Sequence, residues 1–145
     1  MFFIGILLFI CTVFFAMGTG GLRAFIDPSS IVFVLFSNVA LLVATRSIKS
    51  FVYGIRVISS KKIKIEKEKL MESIEVYDLL QKAFVGIGML GFIIGIISLL
   101  HVLDGPSSIG PAMDVSLLTV FYSTLFGTLF ITPTKFLLKK KAREQ

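Results

Sequence analysis

Thr119, Ser123 and Gly127 recur every four residues within SLLTVFYSTLFGTLF, residues 116–130. Ser116, Thr124 and Thr128 keep the same spacing beside them. On a helix, residues four apart share a face. Hydroxyls on such a face donate and accept hydrogen bonds without carrying a charge. The stretch is otherwise apolar enough to sit in lipid, where hydroxyls gain nothing, so they must face something else or satisfy themselves. A threonine can do the latter by bonding back to the carbonyl of residue i−4.

Titratable groups are missing from the same layer. The acids are Asp27, Glu66, Glu68, Glu72, Glu75, Asp78, Asp104, Asp114 and Glu144, and none falls in the middle of an apolar segment. No lysine, arginine or histidine does so either. A proton relay needs an ionisable group inside the bilayer. If this chain moves ions, another chain must supply the carboxylate. Soluble-enzyme constellations are also absent: there is no phosphate loop, no triad candidate and no CxxC, so the chain does not read as an enzyme. The lone histidine, His101, has no second histidine or cysteine to join it, and neither a metal site nor a cofactor is expected.

These residues are positioned by long apolar segments. Of the 145 residues, 55% are hydrophobic and 17% charged, against roughly 25% charged in soluble domains. The mean hydropathy is +0.92. Four segments qualify as membrane helices, about 1–19, 28–45, 84–102 and 113–132, each near the roughly 20 residues that cross the hydrocarbon. The first lacks a basic n-region and a small-residue cleavage site, so it is expected to be retained rather than removed as a signal peptide. Cys11 within it reads as a small packing residue, because one cysteine makes no internal disulfide.

Charge sets the orientation. Arg46, Lys49, Arg56, Lys61, Lys62, Lys64, Lys67, Lys69 and Lys82 lie between the second and third segments, and Lys135, Lys139, Lys140, Lys141 and Arg143 follow the fourth. Basic residues mark the cytoplasmic side. The stretches 46–83 and 133–145 and both termini are therefore expected inside, with 20–27 and 103–112 outside. The net charge of +6 is a topology signal and not a sign of nucleic-acid binding, since these bases flank membrane segments.

The stretch 46–83 is too short for a folded domain of its own. Its first part, RSIKSFVYGIRVISS, is placed to continue the second helix. In its second part Ile63, Leu70, Tyr77 and Phe84 share a seven-residue spacing, with Ile74 nearby, predicting a helix that starts near Glu66 and leads into the third segment.

The third segment carries Gly86, Gly88, Gly91 and Gly95. Gly91 and Gly95 make a GxxxG face that lets another helix approach closely. That helix is either in the same chain or in a neighbour. With Gly127 on the fourth segment, the two helices are expected to pack as a hairpin. Thr119 lies roughly 12 Å along the fourth helix from Pro111, and Phe92 about 15 Å along the third from Lys82, so the two share a layer near the bilayer centre. Asp114 falls in the first turn of the fourth helix, with Pro111 near its first position. It either favours the positive helix end or forms an acidic outer lip for cations.

At larger scale TGGLRAFIDPSSIVFVL resembles the first outer loop and second helix of the MotA flagellar stator family: Gly20 and Gly21, then Asp27, Pro28 and Ser29. GIGMLGFIIGIISLLHVLDGPSSIGPAMDVSLLTVFYSTLFGTLFITP is similar to its third and fourth helices. Gly88, Gly91 and Gly95 fall on the glycine-rich third helix, Gly110, Pro111 and Met113 on the Gly-Pro-x-Met turn, and LLTVFY and Pro133 on the fourth helix and its inner end. The order of helices is that of MotA within the wider MotA/TolQ/ExbB proton-channel family. The chain departs from the pattern at Phe92, where the family has threonine, at Ser123, Ser37 and Asn38, where it has glycine, and in its much shorter cytoplasmic region.

The resemblance implies an all-α membrane protein, a single domain over 1–145, with four transmembrane helices in two hairpins and short cytoplasmic helical extensions. It implies assembly as a pentameric homo-oligomer around a dimer of single-helix partners of the MotB, ExbD or TolR kind in the bacterial inner membrane, with a cytoplasmic rotor protein as a further candidate partner. A partner aspartate would take up H⁺ or Na⁺ beside the hydroxyls of Thr119 and Ser123, with Phe92 in the same pathway. A non-conducting scaffold of the same family, its pathway narrowed by Phe92, is the alternative. A small holin-like hairpin protein is a third reading.

Overall fold

The computed structural model describes residues 2–18, 25–59, 66–101 and 109–144. Every element among them is helical: α1 (Phe2–Met17), α2 (Pro28–Ala44), α3 (Ile48–Ser59), α4 (Lys67–His101), α5 (Ile109–Phe126), a π-helical turn (Gly127–Ile131) and α6 (Thr132–Arg143). Two helices are long and apolar enough to cross a membrane, namely α4 and the continuous run Met113–Arg143. The bent pair α2–α3 makes a third if counted as one span, and α1 is apolar but shorter. The chain is thus an all-helical membrane protein. Ile63, in the expected seven-residue series, lies outside the described residues, as does most of both outer connections.

Local chemistry explains where these helices begin and end. Pro28 opens α2, and the Asp27 carboxylate caps it by accepting from the N–H groups of Ser29 and Ser30. At the other end Arg46 N–H donates to Val43 O and Ser47 N–H to Leu42 O, both at 3.0 Å. That pair of bonds is a Schellman closure, and it places Arg46 at φ 54°. A left-handed residue other than glycine costs roughly 1–2 kcal/mol, which the two bonds help to offset. Residues after 46 therefore do not prolong α2: α3 leaves at 111°, a correction to the expected straight extension.

Beyond that bend, α3 packs on the first half of α4 and on α6. Val57, Leu70, Ile74, Tyr77 and Leu138 are buried together, and burying side chains of this size stabilises by roughly 1.5–3 kcal/mol each. Gly54 lets the helices meet, since a Cβ there would lie 3.2 Å from Leu138 Cδ1 and overlap the Tyr77 ring. Ser73 donates to Ser50 O at 2.8 Å, and Tyr77 to Phe51 O at 3.2 Å. The C-terminal helix supplies one side of this cluster, packing on both α3 and α4. Helix α4 starts at Lys67, as the spacing predicts, and Leu70, Ile74, Tyr77 and Phe84 all face inward.

Pro133 sits just past the π turn at the head of α6. A proline inside a helix removes a donor and crowds the carbonyl four residues earlier. Here the Thr132 N–H reaches Gly127 O instead, the wider π spacing, and the Thr132 hydroxyl donates to the same carbonyl at 3.0 Å. The long helix therefore passes the proline without breaking.

Candidate functional site

The most extensive packing in the molecule is the antiparallel pair α4 and α5. Its seam matches glycine to hydroxyl: Gly88 to Ser123, Gly91 to Thr119, Gly95 to Ser116. Where α5 passes into the π turn the sizes reverse, and Gly127 meets Phe84, with a hypothetical Cβ 3.3 Å from Phe84 Cβ. The four small positions expected to pack helices, Gly88, Gly91, Gly95 and Gly127, thus all meet another helix of the same chain. The hydroxyl stripe faces this chain's own glycines along most of its length.

Ser116, Thr119 and Ser123 are buried. Ser123 donates to the Phe84 carbonyl. Thr119 differs from it. Its hydroxyl reaches Val115 O, one turn back, and Ser30 Oγ on α2, both at 3.0 Å. Ser30 Oγ in turn donates to the Asp27 carboxylate. A hydrogen-bonded row therefore runs from the buried threonine to an ionisable group at the head of α2. Burial pushes the Asp27 carboxyl up, but hydrogen bonds from Ser30 and Ser29 outweigh this and hold it below the usual carboxylate value.

Thr119 and Ser30 also line an open cleft of about 380 Å³ between α2, α4 and α5, together with Ser29, Ser98, Phe33, Gly91 and Gly95. The glycines leave the room, and the serines and threonine supply the polar atoms. No group of three or more His, Cys, Asp or Glu that could hold a metal occurs among the described residues.

The remaining expected residues fall around this cleft. Phe92 adjoins Gly91 on α4, is partly buried, and is not among the cleft's lining residues. Asp114 is exposed and lies past the first turn of α5, because that helix begins at Ile109 rather than near Pro111. This corrects the expected first-turn position and weakens its capping role, since the dipole acts mainly within the first turn. Pro111 itself stays within that turn, where its missing N–H costs no bond.

Tyr122 was not foreseen. Its hydroxyl donates to Phe25 O and accepts from the Asp27 N–H, the latter at 3.3 Å. It fixes the segment before α2 against α5 and so holds Asp27 beside Ser30. Its tyrosine type within LLTVFY was visible, but its partner lies 97 residues away.

Comparison with known proteins agrees with this architecture. The model of the MotA/TolQ/ExbB proton channel family matches residues 32–145. Motility protein A of Aquifex aeolicus is 37% identical over 73 residues, covering 50% of this chain and 29% of that protein. Motility protein A of Cereibacter sphaeroides is 36% identical over 77 residues, 50% of this chain and 30% of that protein. Chemotaxis protein PomA of Vibrio alginolyticus is 29% identical over 79 residues, 54% of this chain and 31% of that protein. The matched stretches span less than a third of each relative's length. A family of membrane channels is not one of enzymes, and with the family match covering α3 to α6 and most of α2, the chain belongs to the MotA/TolQ/ExbB proton channel family.

Proposed function

We propose that this chain is a ring-forming subunit of an ion-driven membrane motor or energiser, lining the path for an aspartate supplied by a MotB-like single-helix partner. The observation that carries the reading is Thr119: a hydroxyl on an open, mostly apolar cleft, in a layer where none of the lining side chains carries a charge. A carboxylate entering that layer needs polar company, because an unpaired charge there costs several kcal/mol. The Thr119 oxygen keeps acceptor capacity for a protonated carboxyl, as a hydroxyl has two lone pairs. Ser123 supports it by fixing α5 against α4.

In this reading 1–145 is one membrane domain with four spans in two hairpins, 1–19, 28–45, 84–102 and 113–132. It sits in the bacterial inner membrane with both termini in the cytoplasm. The ring is a pentamer around a partner dimer, the ion is H⁺ or Na⁺, and no resident cofactor is needed. The cluster of α3, α6 and the first half of α4 is the surface offered to a cytoplasmic rotor. Phe92, where the family pattern has threonine, favours a second reading: a scaffold that keeps the ring without conducting.

The test is co-expression with the single-helix, one-aspartate protein that the reading requires. The purified complex should hold several copies of this chain, and vesicles containing both should pass ions faster than vesicles with this chain alone. An assembled complex with no flux would establish the scaffold. A monomer that ignores the partner would overturn both.

A further inference from the structure

At the α2–α3 bend lies a second cleft, of about 390 Å³, lined by Arg46, Lys49, Ser50, Tyr53, Lys69 and Glu72. Three of these are cations and one is an acid. Lys69 is partly committed, 2.8 Å from Glu66 just ahead of α4, and Glu72 accepts from the Ser50 hydroxyl at 2.7 Å. Arg46 and Lys49 carry no ion pair among the described residues. The Schellman closure of α2 aims the chain so that these two basic residues flank the turn. The Tyr53 hydroxyl, which accepts from the Glu66 N–H at 3.1 Å, braces the far wall. The positive charge is thus gathered by the fold and not merely scattered on a surface.

Both helices that meet at the bend also expose apolar residues outside the cleft's own lining. Val39 and Val43 in the last turns of α2 are 53% and 56% exposed. On α3, Ile48, Val52 and Ile55 are also exposed, opposite the face that packs on α4 and α6. If α2 crosses the bilayer, the 111° bend lays α3 close to the membrane plane. A helix in that position, with apolar and basic residues side by side, is the kind that binds an interface. A free phosphate would use the cations alone, whereas a lipid also meets the exposed apolar residues of the two helices.

We infer that the cleft at the α2–α3 bend binds the phosphate headgroup of an anionic phospholipid, held by Arg46 and Lys49, with the acyl chains along the exposed apolar side of α2. The lipid pins the bend at the membrane surface, and this binding is independent of whether the chain conducts ions. Each basic residue near an anionic lipid surface contributes enough to change affinity by about fivefold.

The test titrates the full-length chain in mild detergent with phosphatidylglycerol, phosphatidylcholine or inorganic phosphate, and counts bound lipid by native mass spectrometry. Phosphatidylglycerol should bind in preference to phosphatidylcholine. Lys49→Gln, which leaves the bend untouched, should weaken it about fivefold, and adding Arg46→Asn should take the loss to roughly twenty-fold. Asparagine tolerates the left-handed conformation at position 46, so the fold is kept. Lys139→Gln with Lys140→Gln, on the exposed side of α6, should change little. Equal binding of the two lipids, an equal loss in the α6 pair, or displacement of phosphatidylglycerol by inorganic phosphate would each overturn the assignment.

Discussion

Gly88 on α4 faces Ser123 on α5 so closely that a Cβ on the glycine would stand 2.8 Å from Ser123 Cβ and 3.7 Å from the Val120 Cα. That is near backbone contact. Gly91 with Thr119 and Gly95 with Ser116 extend the same relationship toward the start of α5. Without a hydrophobic drive between helices in lipid, such close packing is a main source of helix association. The seam therefore fixes where Thr119 sits, and any function of Thr119 depends on it.

Gly91→Ala is expected to lower stability by about 1–3 kcal/mol, the usual effect of overpacking. The new methyl would overlap the Thr119 Cγ2. Thr119→Ser removes that methyl, so the double variant should recover part of the loss. Gly86→Ala is the control, because nothing lies within 4 Å of a Cβ there. Thermal unfolding in detergent checks all four proteins. Equal stability of Gly91→Ala and Gly86→Ala would mean that the seam does not carry the packing.

Orientation is tested by labelling. Cysteine at Ser107 should react with an impermeant reagent added outside, and cysteine at Ser60 should not, if the basic residues around 46–83 and 135–143 hold that end in the cytoplasm as proposed. Cys11→Ser removes the background thiol. The reverse pattern would contradict the proposed topology.

The first half of α4 and the head of α6 are tied by charge. Lys135 on α6 donates to Asp78 on α4, and also to Gln81 at 2.7 Å, while Lys82 pairs with Asp78 at 2.8 Å. The hydrogen bond from Lys135, then that from Lys82, brings the Asp78 carboxyl down to about 2 from its ordinary 3.8. A depressed carboxyl stabilises the fold fully above its unfolded value and loses that contribution as pH falls through the folded one. Stability should therefore decline between roughly pH 4 and 2, modestly, since partly exposed pairs are weakened by solvent. Asp78→Asn should be less stable at neutral pH and lose this component of the acid slope. Unfolding midpoints across that range provide the check, and identical slopes in both proteins would assign the clamp no role.

Much of this arrangement was legible from spacing, and the remainder depends on contacts that spacing does not encode. Leu70, Ile74, Tyr77 and Phe84 declared a buried helix face because their period matches the helix. Gly91 and Gly95 declared a close approach because only glycine leaves that room. The α2–α3 bend was hidden because Arg46, not glycine, takes the left-handed position, and neither glycine nor proline marks residues 45–47. Likewise, the π turn follows from how the N–H and hydroxyl of Thr132 share the Gly127 carbonyl just before Pro133, which no hydropathy pattern records. The Ser30 link to Thr119 joins residues 89 apart. One stretch announced a hydroxyl and another a capped helix, but only the fold brings them together.

The final prediction separates three roles for the Thr119 hydroxyl. Thr119→Val keeps the shape and removes the hydroxyl, so it loses both the Val115 and the Ser30 bonds. Ser30→Ala keeps the threonine hydroxyl but cuts its connection to Asp27. If Thr119 meets a partner carboxylate, Thr119→Val should assemble normally and lose at least about tenfold of ion flux, a loss of about 1.4 kcal/mol in transition-state stabilisation. Thr119→Ser should then keep most of the flux, and Ser30→Ala should too. If the row to Asp27 is itself the path, Ser30→Ala should fail as badly as Thr119→Val. Phe92→Thr, which restores the family's residue beside Gly91, should leave flux unchanged or raise it. The measurement is ion flux in vesicles holding this chain and its partner, with subunit number checked separately by mass. Full flux in Thr119→Val would reduce the hydroxyl to a bond within its own helix, and with it would fall the argument that this layer receives a carboxylate.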